Sequence, residues 1–180
     1  MKNNRNITYV QKYDSKKFSY ESLVSKNNFR VLNYKLFDLN DISKSKLMIF
    51  TKKNALLYGA ENRDGNSFVI TNKDINKKIL VNRQGLTHSK GKISNKKRNV
   101  IFNSAELLSN VILMNEGYRN GKYTSIFFNE FNFDGESYIA RFVVYDNDLL
   151  EFESFRLNSL GVSELLAGWR PDELQTKFVI

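Results

Sequence analysis

An α+β fold, with a helix packed on an antiparallel sheet and a small N-terminal α/β extension, is what this sequence predicts, and three observations predict it. The stretch "NSAELLSNVILMNEG" places Asn103 three residues ahead of Glu106 as a capping box. It then strings Leu107, Leu108, Val111 and Ile112 into a helical apolar stripe and stops at Gly117. The runs "YTSIFFNEFNF", "YIARFVVYD" and "LLEFESFRL" are rich in β-branched and aromatic residues, and in the last two polar positions recur at period two. That alternation suits antiparallel strands with one covered face. Between the runs stand "DGES" and "ND", residue types that make tight turns. The expected order is therefore a helix over Asn103 to Glu116, then strands at Ser125 to Phe131, Tyr138 to Tyr145 and Leu150 to Arg156.

Upstream the elements are shorter. "ITYVQKY" reads as a strand. "DISKSKLMIFTKKNALLYG" has an Asp41 cap and a Gly59 stop, which fit a helix, although "KLMIF" by itself also fits a strand. "ENRDGNSFVI" reads as a turn at Asp64 and Gly65 entering a strand, and "KKILVNR" as another strand. The change of regime divides the chain into an extension at 1–66 and an α+β domain at 67–180. Repeats, low-complexity tracts and a proline-rich linker are absent, Pro171 being the one proline.

Composition removes several classes of chemistry. A chain of 180 residues, 41% hydrophobic and 13% aromatic, can bury a real core. It has no cysteine and one histidine, which rules out disulfides and thiolates and leaves too few good ligands for zinc. No metal or cofactor is expected, and the GxxxxGK[ST] spacing of a phosphate loop is missing. No apolar run approaches the roughly 20 residues that span a bilayer, so a cytoplasmic protein is expected. The abundance of Asn and Lys suits an AT-rich genome, so lysine number alone says little.

Lysine position says more. Against a net charge of +9, the segment from Asn72 to Arg98 holds nine basic residues (Lys73, Lys77, Lys78, Arg83, Lys90, Lys92, Lys96, Lys97 and Arg98) and one acid, Asp74. From Phe127 to Phe155 the balance reverses, with seven acids against Arg141. Such polarity gives a local positive field that recruits polyanions. Inside the basic segment, "NRQGLTHSKG" sets His88 beside two hydroxyls and among Arg83, Lys90 and Lys92. Those groups suit a phosphodiester: a ribonuclease without metal needs a base, an acid and cations for the phosphorane charge. The same loop also reads as a solvated turn.

The order "ITNKDINKKILVNRQGLTHSKGK", "NVIFNSAELLSNVILMNEG", "SYIARFVVYDNDLLEFESFRL" resembles the barnase-like domains of large polyvalent proteins from phages and conjugative elements. They share the broader barnase, EndoU, colicin and RelE-like nuclease fold. The resemblance covers Phe68 to Leu157, with "GLTHSKGK" as its most specific piece. It implies a RelE/barnase-like sheet and makes His88 the proposed acid or base, with Ser89 and Lys90 on phosphate. Arg83 would hold phosphate or brace the loop. Glu116 would be a second proton-transfer group, and Arg141 would point from the sheet into an RNA groove. Lys92, Lys96, Lys97 and Arg98 would complete a nucleic-acid surface, for RNA more than DNA. A second class of function is equally expected of a small phage or mobile-element protein: non-catalytic inhibition of a host defence ribonucleoprotein or nuclease, of the anti-CRISPR or anti-restriction type. There the basic loop and exposed aromatics such as Tyr118, Tyr123 and Tyr138 would be adhesive. Catalysis would need His88 specifically, whereas binding would depend on many cations.

Overall fold

The structure, a computed structural model, describes residues 31–87, 92–119, 121–146 and 150–158, so the expected strand at 7–13 and turn at 147–148 lie outside it. In chain order the elements are β1 (Leu32–Tyr34), α1 (Lys44–Leu57), β2 (Glu61–Asn62), β3 (Phe68–Asn72), β4 (Lys77–Val81) and α2 (Arg83–Thr87). They continue with α3 (Asn95–Phe102), α4 (Ser104–Asn110), β5 (Ile112–Arg119), β6 (Lys122–Phe133), β7 (Glu136–Asp146) and β8 (Leu150–Asn158). The α+β class and the three long strands agree with expectation. The sheet is mixed rather than antiparallel throughout, because β1 runs parallel to β6 and β4 parallel to β8.

Strands follow one another across the sheet in the order β1, β6, β7, β8, β4, β3, β2, with β5 also beside β6. β5 pairs with the first half of β6 and β1 with Phe131 to Phe133, so the two lie end to end along one edge of β6. The β6–β7 hairpin turns on Asp134 and Gly135, at φ +48° and +88°. Two successive left-handed residues make the turn whose twist matches that of paired strands, which explains Asp-Gly at this point.

Side chains on β6 alternate between faces. Phe127, Phe131 and Phe133 face the same way as their cross-strand neighbours Tyr138 and Phe142, and all five belong to the main buried cluster. On that face lie the helices, which contribute Leu47, Met48, Leu86, Val100, Ile101, Leu107 and Leu108 to the cluster. Leu32, Leu47, Met48 and Ala55, all ahead of the expected boundary at 66, are buried in the same cluster. α1 begins at Ser43, whose hydroxyl accepts from the Lys46 amide at 3.1 Å, rather than at Asp41, and Gly59 at φ +99° follows its end as expected.

The helix expected over Asn103 to Glu116 is corrected. Helical structure starts earlier, at Asn95, breaks at Asn103 and ends at Asn110; Glu116 is in β5, paired with Ser125. Asn103 makes no cap, its amide donating instead to the Asn99 carbonyl at 2.8 Å. The end at Asn110 has a physical cause. The last carbonyls of a helix need outside partners, and here the β3–β4 connection supplies them. The buried Asn72 amide donates to the carbonyls of Leu108 and Val111, both at 2.9 Å, and the Lys73 amide donates to Ser109. The apolar residues that follow, Val111 to Leu113, then complete the edge of β6 instead of another helical turn.

Candidate nucleic-acid interface

The basic segment is dispersed over β3, β4, α2 and α3, and its most organised part is where α3 begins. α3 starts at Ser94, whose hydroxyl accepts from the Lys97 amide at 3.3 Å, and neither α3 nor α1 has an acid in its first turn. The two starts are tied together by Arg98. This side chain is buried, and its guanidinium donates to the carbonyl of Ile93 at 3.2 Å and to that of Ile42, one residue before the α1 cap. Expected among the phosphate-binding residues, Arg98 is a brace inside the protein. Asn95 and Asn99 fix the chain leading to α1 as a neighbouring strand would: Asn99 accepts from the Phe37 amide at 3.0 Å and donates to the Phe37 carbonyl at 2.9 Å, and Asn95 accepts from the Leu39 amide at 2.8 Å.

This bracing sets the start of α3 beside that of α1, and Lys44 and Lys97, one at each start, are both half-buried. Burial, and after it the charge of Lys44, hold the Lys97 ammonium below the usual lysine pKa. Like charges at the starts of two helices make a surface that gains from an anion, since helix starts themselves favour one. Lys44 was outside the segment first singled out, yet its signal was readable: "SKSK" puts two lysines and no acid at the start of a helical run.

Other expected residues are placed as follows. Arg83 and Lys92 are exposed at either side of the connection from α2 to α3, within which His88, Ser89 and Lys90 lie outside the described residues. Lys96 is exposed but engaged: its ammonium is 3.7 Å from the Glu136 carboxylate and 4.9 Å from the Tyr138 ring centre. The Tyr138 hydroxyl and then Glu136 raise its pKa above the ordinary lysine value. Asp74, the one acid of the segment, turns inward, where its carboxylate accepts from the Leu113 amide at 2.8 Å. Of the aromatics expected to be exposed, Tyr138 is buried and stacked on Phe131, Tyr123 is half-buried, and the Tyr118 side chain lies outside the description.

Glu116 and Arg141 do not come together. Glu116 pairs with Ser125, on the helix-covered face with Phe127, whereas Arg141 pairs with Phe128, on the opposite face. The sheet separates them. On the face of Arg141 also lies Glu130, whose carboxyl is pushed up from the ordinary 4.5 by burial. A carboxyl raised in this way holds its proton to higher pH in the folded chain than in the unfolded one. Its protonation therefore stabilises the fold fully below about 4.5, and that contribution is lost as pH rises through the folded value. Glu130→Gln is expected to raise the urea midpoint relative to the parent at about pH 7 and to leave it little changed at about pH 4; equal midpoints at both would show that burial does not penalise this carboxylate.

Among the described residues, no three His, Cys, Asp or Glu side chains gather to hold a metal ion, and no helix is long and apolar enough to cross a membrane. The chain matches no protein-family model, no curated protein and no solved structure.

Proposed function

We propose that the protein binds nucleic acid, RNA in preference to DNA, through the cationic surface formed by the starts of α1 and α3 together with Arg83 and Lys92. The observation that carries this reading is the convergence of Lys44 and Lys97 at two helix starts without a first-turn acid. Phosphate contacts dominate nucleic-acid affinity, and such a surface offers charge and backbone amides at once. The order of helical segment and β6–β7–β8 meander is compatible with descent from the RelE/barnase-like nuclease domains of phage and mobile-element polyvalent proteins.

Two readings of the bound state compete: a metal-independent ribonuclease using His88, and a non-catalytic inhibitor of a host defence ribonucleoprotein or nuclease. The position of Glu116 and Arg141 on opposite faces of the sheet favours the second. Proton transfer requires acid and base within hydrogen-bond reach of one substrate, and these two cannot serve one phosphate with His88.

Labelled single-stranded RNA and duplex DNA, titrated across a salt series in EDTA, test both levels. The expected result is RNA binding without cleavage, with affinity falling steeply as salt rises. Lys44→Gln with Lys97→Gln should shallow the log–log salt slope by about 0.7 for each contact removed. Salt-insensitive binding, or none, overturns the interface. Cleavage that survives EDTA and disappears in His88→Ala would instead establish the ribonuclease.

A further inference from the structure

The first turn of α3 contains no acid of its own, yet a carboxylate from another element reaches it. Glu136 stands at the start of β7, just after the turn at Asp134 and Gly135, and its Oε2 lies 3.7 Å from the Lys96 ammonium. The same oxygen accepts from the Tyr138 hydroxyl at 2.6 Å. The two partners of that oxygen are anchored differently from Glu136 itself. Tyr138 has a buried ring stacked on Phe131, with the Lys96 ammonium 4.9 Å from its centre, whereas the Glu136 side chain is 72% exposed. Other acids near this end are turned to backbone or solvent: Asp134 accepts from the Leu36 amide at 3.4 Å, Asp38 accepts from the Asn40 amide at 3.1 Å, and Asp41 is exposed ahead of the α1 cap.

We propose, resting on the RNA-binding reading above, that Lys96 and the Tyr138 hydroxyl form a further phosphate subsite of the α1–α3 surface, which Glu136 occupies in the free protein. An ammonium and a phenolic hydroxyl that converge on one carboxylate oxygen can donate equally to a phosphodiester oxygen in its place. Distance decides between the two anions. At 3.7 Å the Lys96–Glu136 pair is longer than a hydrogen bond, and exposed pairs of this kind contribute little. A phosphate that takes the ammonium at closer range also releases a counterion from the RNA, a gain that Glu136 does not offer. The Tyr138 hydroxyl, and then Lys96, hold the Glu136 carboxyl below its ordinary pKa, so it meets the RNA as an anion. Glu136 thus opposes binding in two ways: it holds Lys96, and it repels the phosphate that would replace it.

A labelled oligouridylate, titrated into the full chain across a salt series, tests this. Glu136→Gln should tighten binding about two- to five-fold, the range set by one exposed ion pair. It should also steepen the log–log salt slope by about 0.7, one more single-strand phosphate contact. Asp134→Asn removes an equal charge two residues away and keeps an acceptor for the Leu36 amide, so it should leave the slope unchanged. Lys96→Gln should change little in the parent but cancel the gain in Glu136→Gln. A Glu136→Gln slope equal to that of the parent overturns the subsite. So does a gain that survives Lys96→Gln, or equal steepening in Asp134→Asn, which would reduce Glu136 to part of a general field. Each of those three results leaves salt-dependent binding by the parent, and with it the α1–α3 surface, in place; absence of binding in the parent and in Glu136→Gln alike would remove both.

Discussion

Asn72→Ala is expected to cost about 3 to 4 kcal/mol, a large part of the roughly 5 to 15 kcal/mol that holds an ordinary domain together. The side chain is fully buried and works at both ends. Its amide donates to the carbonyls of Leu108 and Val111, and its oxygen accepts from the amides of Asp74 and Ile75, both at 3.1 Å. Alanine leaves four backbone groups without this partner, and a buried unsatisfied polar group costs about 1 to 3 kcal/mol. Asn72→Asp separates the two ends: the acceptors remain, the donors vanish and a charge is introduced. It should be at least as damaging as alanine. Urea unfolding of the three proteins measures this; a loss below about 1 kcal/mol for alanine would show that the end of α4 is held by other contacts.

Phe131→Ala should cost a comparable or larger amount, about 3 to 5 kcal/mol, the usual range for emptying a fully buried phenylalanine site. Phe131 is the centre of an aromatic cluster, 6.2 Å from Tyr34, 5.1 Å from Phe133 and 6.0 Å from Tyr138 between ring centres. It is also the register partner of Leu32, where β1 joins the sheet. The loss should therefore be uneven. Hydrogen exchange should accelerate at Leu32 to Tyr34 more than in the β6–β7 hairpin, and a uniform increase would mean that β1 is not a separate layer of stability.

How much of this architecture was legible depended on how local its cause was. β6, β7 and β8 could be read because their residue types and alternation are properties of the strands themselves, and the β6–β7 turn because Asp-Gly is suited to left-handed backbone. α1 could be read for the same reason, apart from its cap. The helix at Asn103 to Glu116 could not be bounded, because its end is set by Asn72 and Lys73, which are distant in sequence, and because the edge of β6 takes up the apolar residues that periodicity assigned to a helix. Asparagine was the general blind spot. Asn72, Asn95 and Asn99 looked like products of base composition, yet each substitutes for a strand or helix neighbour through its side-chain amide. The candidate site was legible as charge but not as geometry. Nothing in a count of cations distinguishes Arg98, which braces two loops, from Lys97, which is half-buried at a helix start, or shows that Lys96 is already matched by Glu136. Opposite faces for Glu116 and Arg141 follow from register, which a one-residue shift would reverse.

The shared edge of β6 also bears on the order in which the chain assembles. β6 and β7 are joined by a two-residue turn and can pair as soon as both exist, whereas β1 must find Phe131 to Phe133 in parallel register from nearly a hundred positions earlier, Leu32 against Phe131. Closing a loop of that length is an entropic barrier paid before the contact returns anything. Newly made chain would thus hold β1 idle through the synthesis of α1 to α4, and the second half of the β6 edge would stay open until it docks. β5, by contrast, directly precedes β6 and closes the first half at once. An interval with half an edge unpaired is when such a chain is most exposed to pairing with its own copies, and the few residues of β1 are what end it.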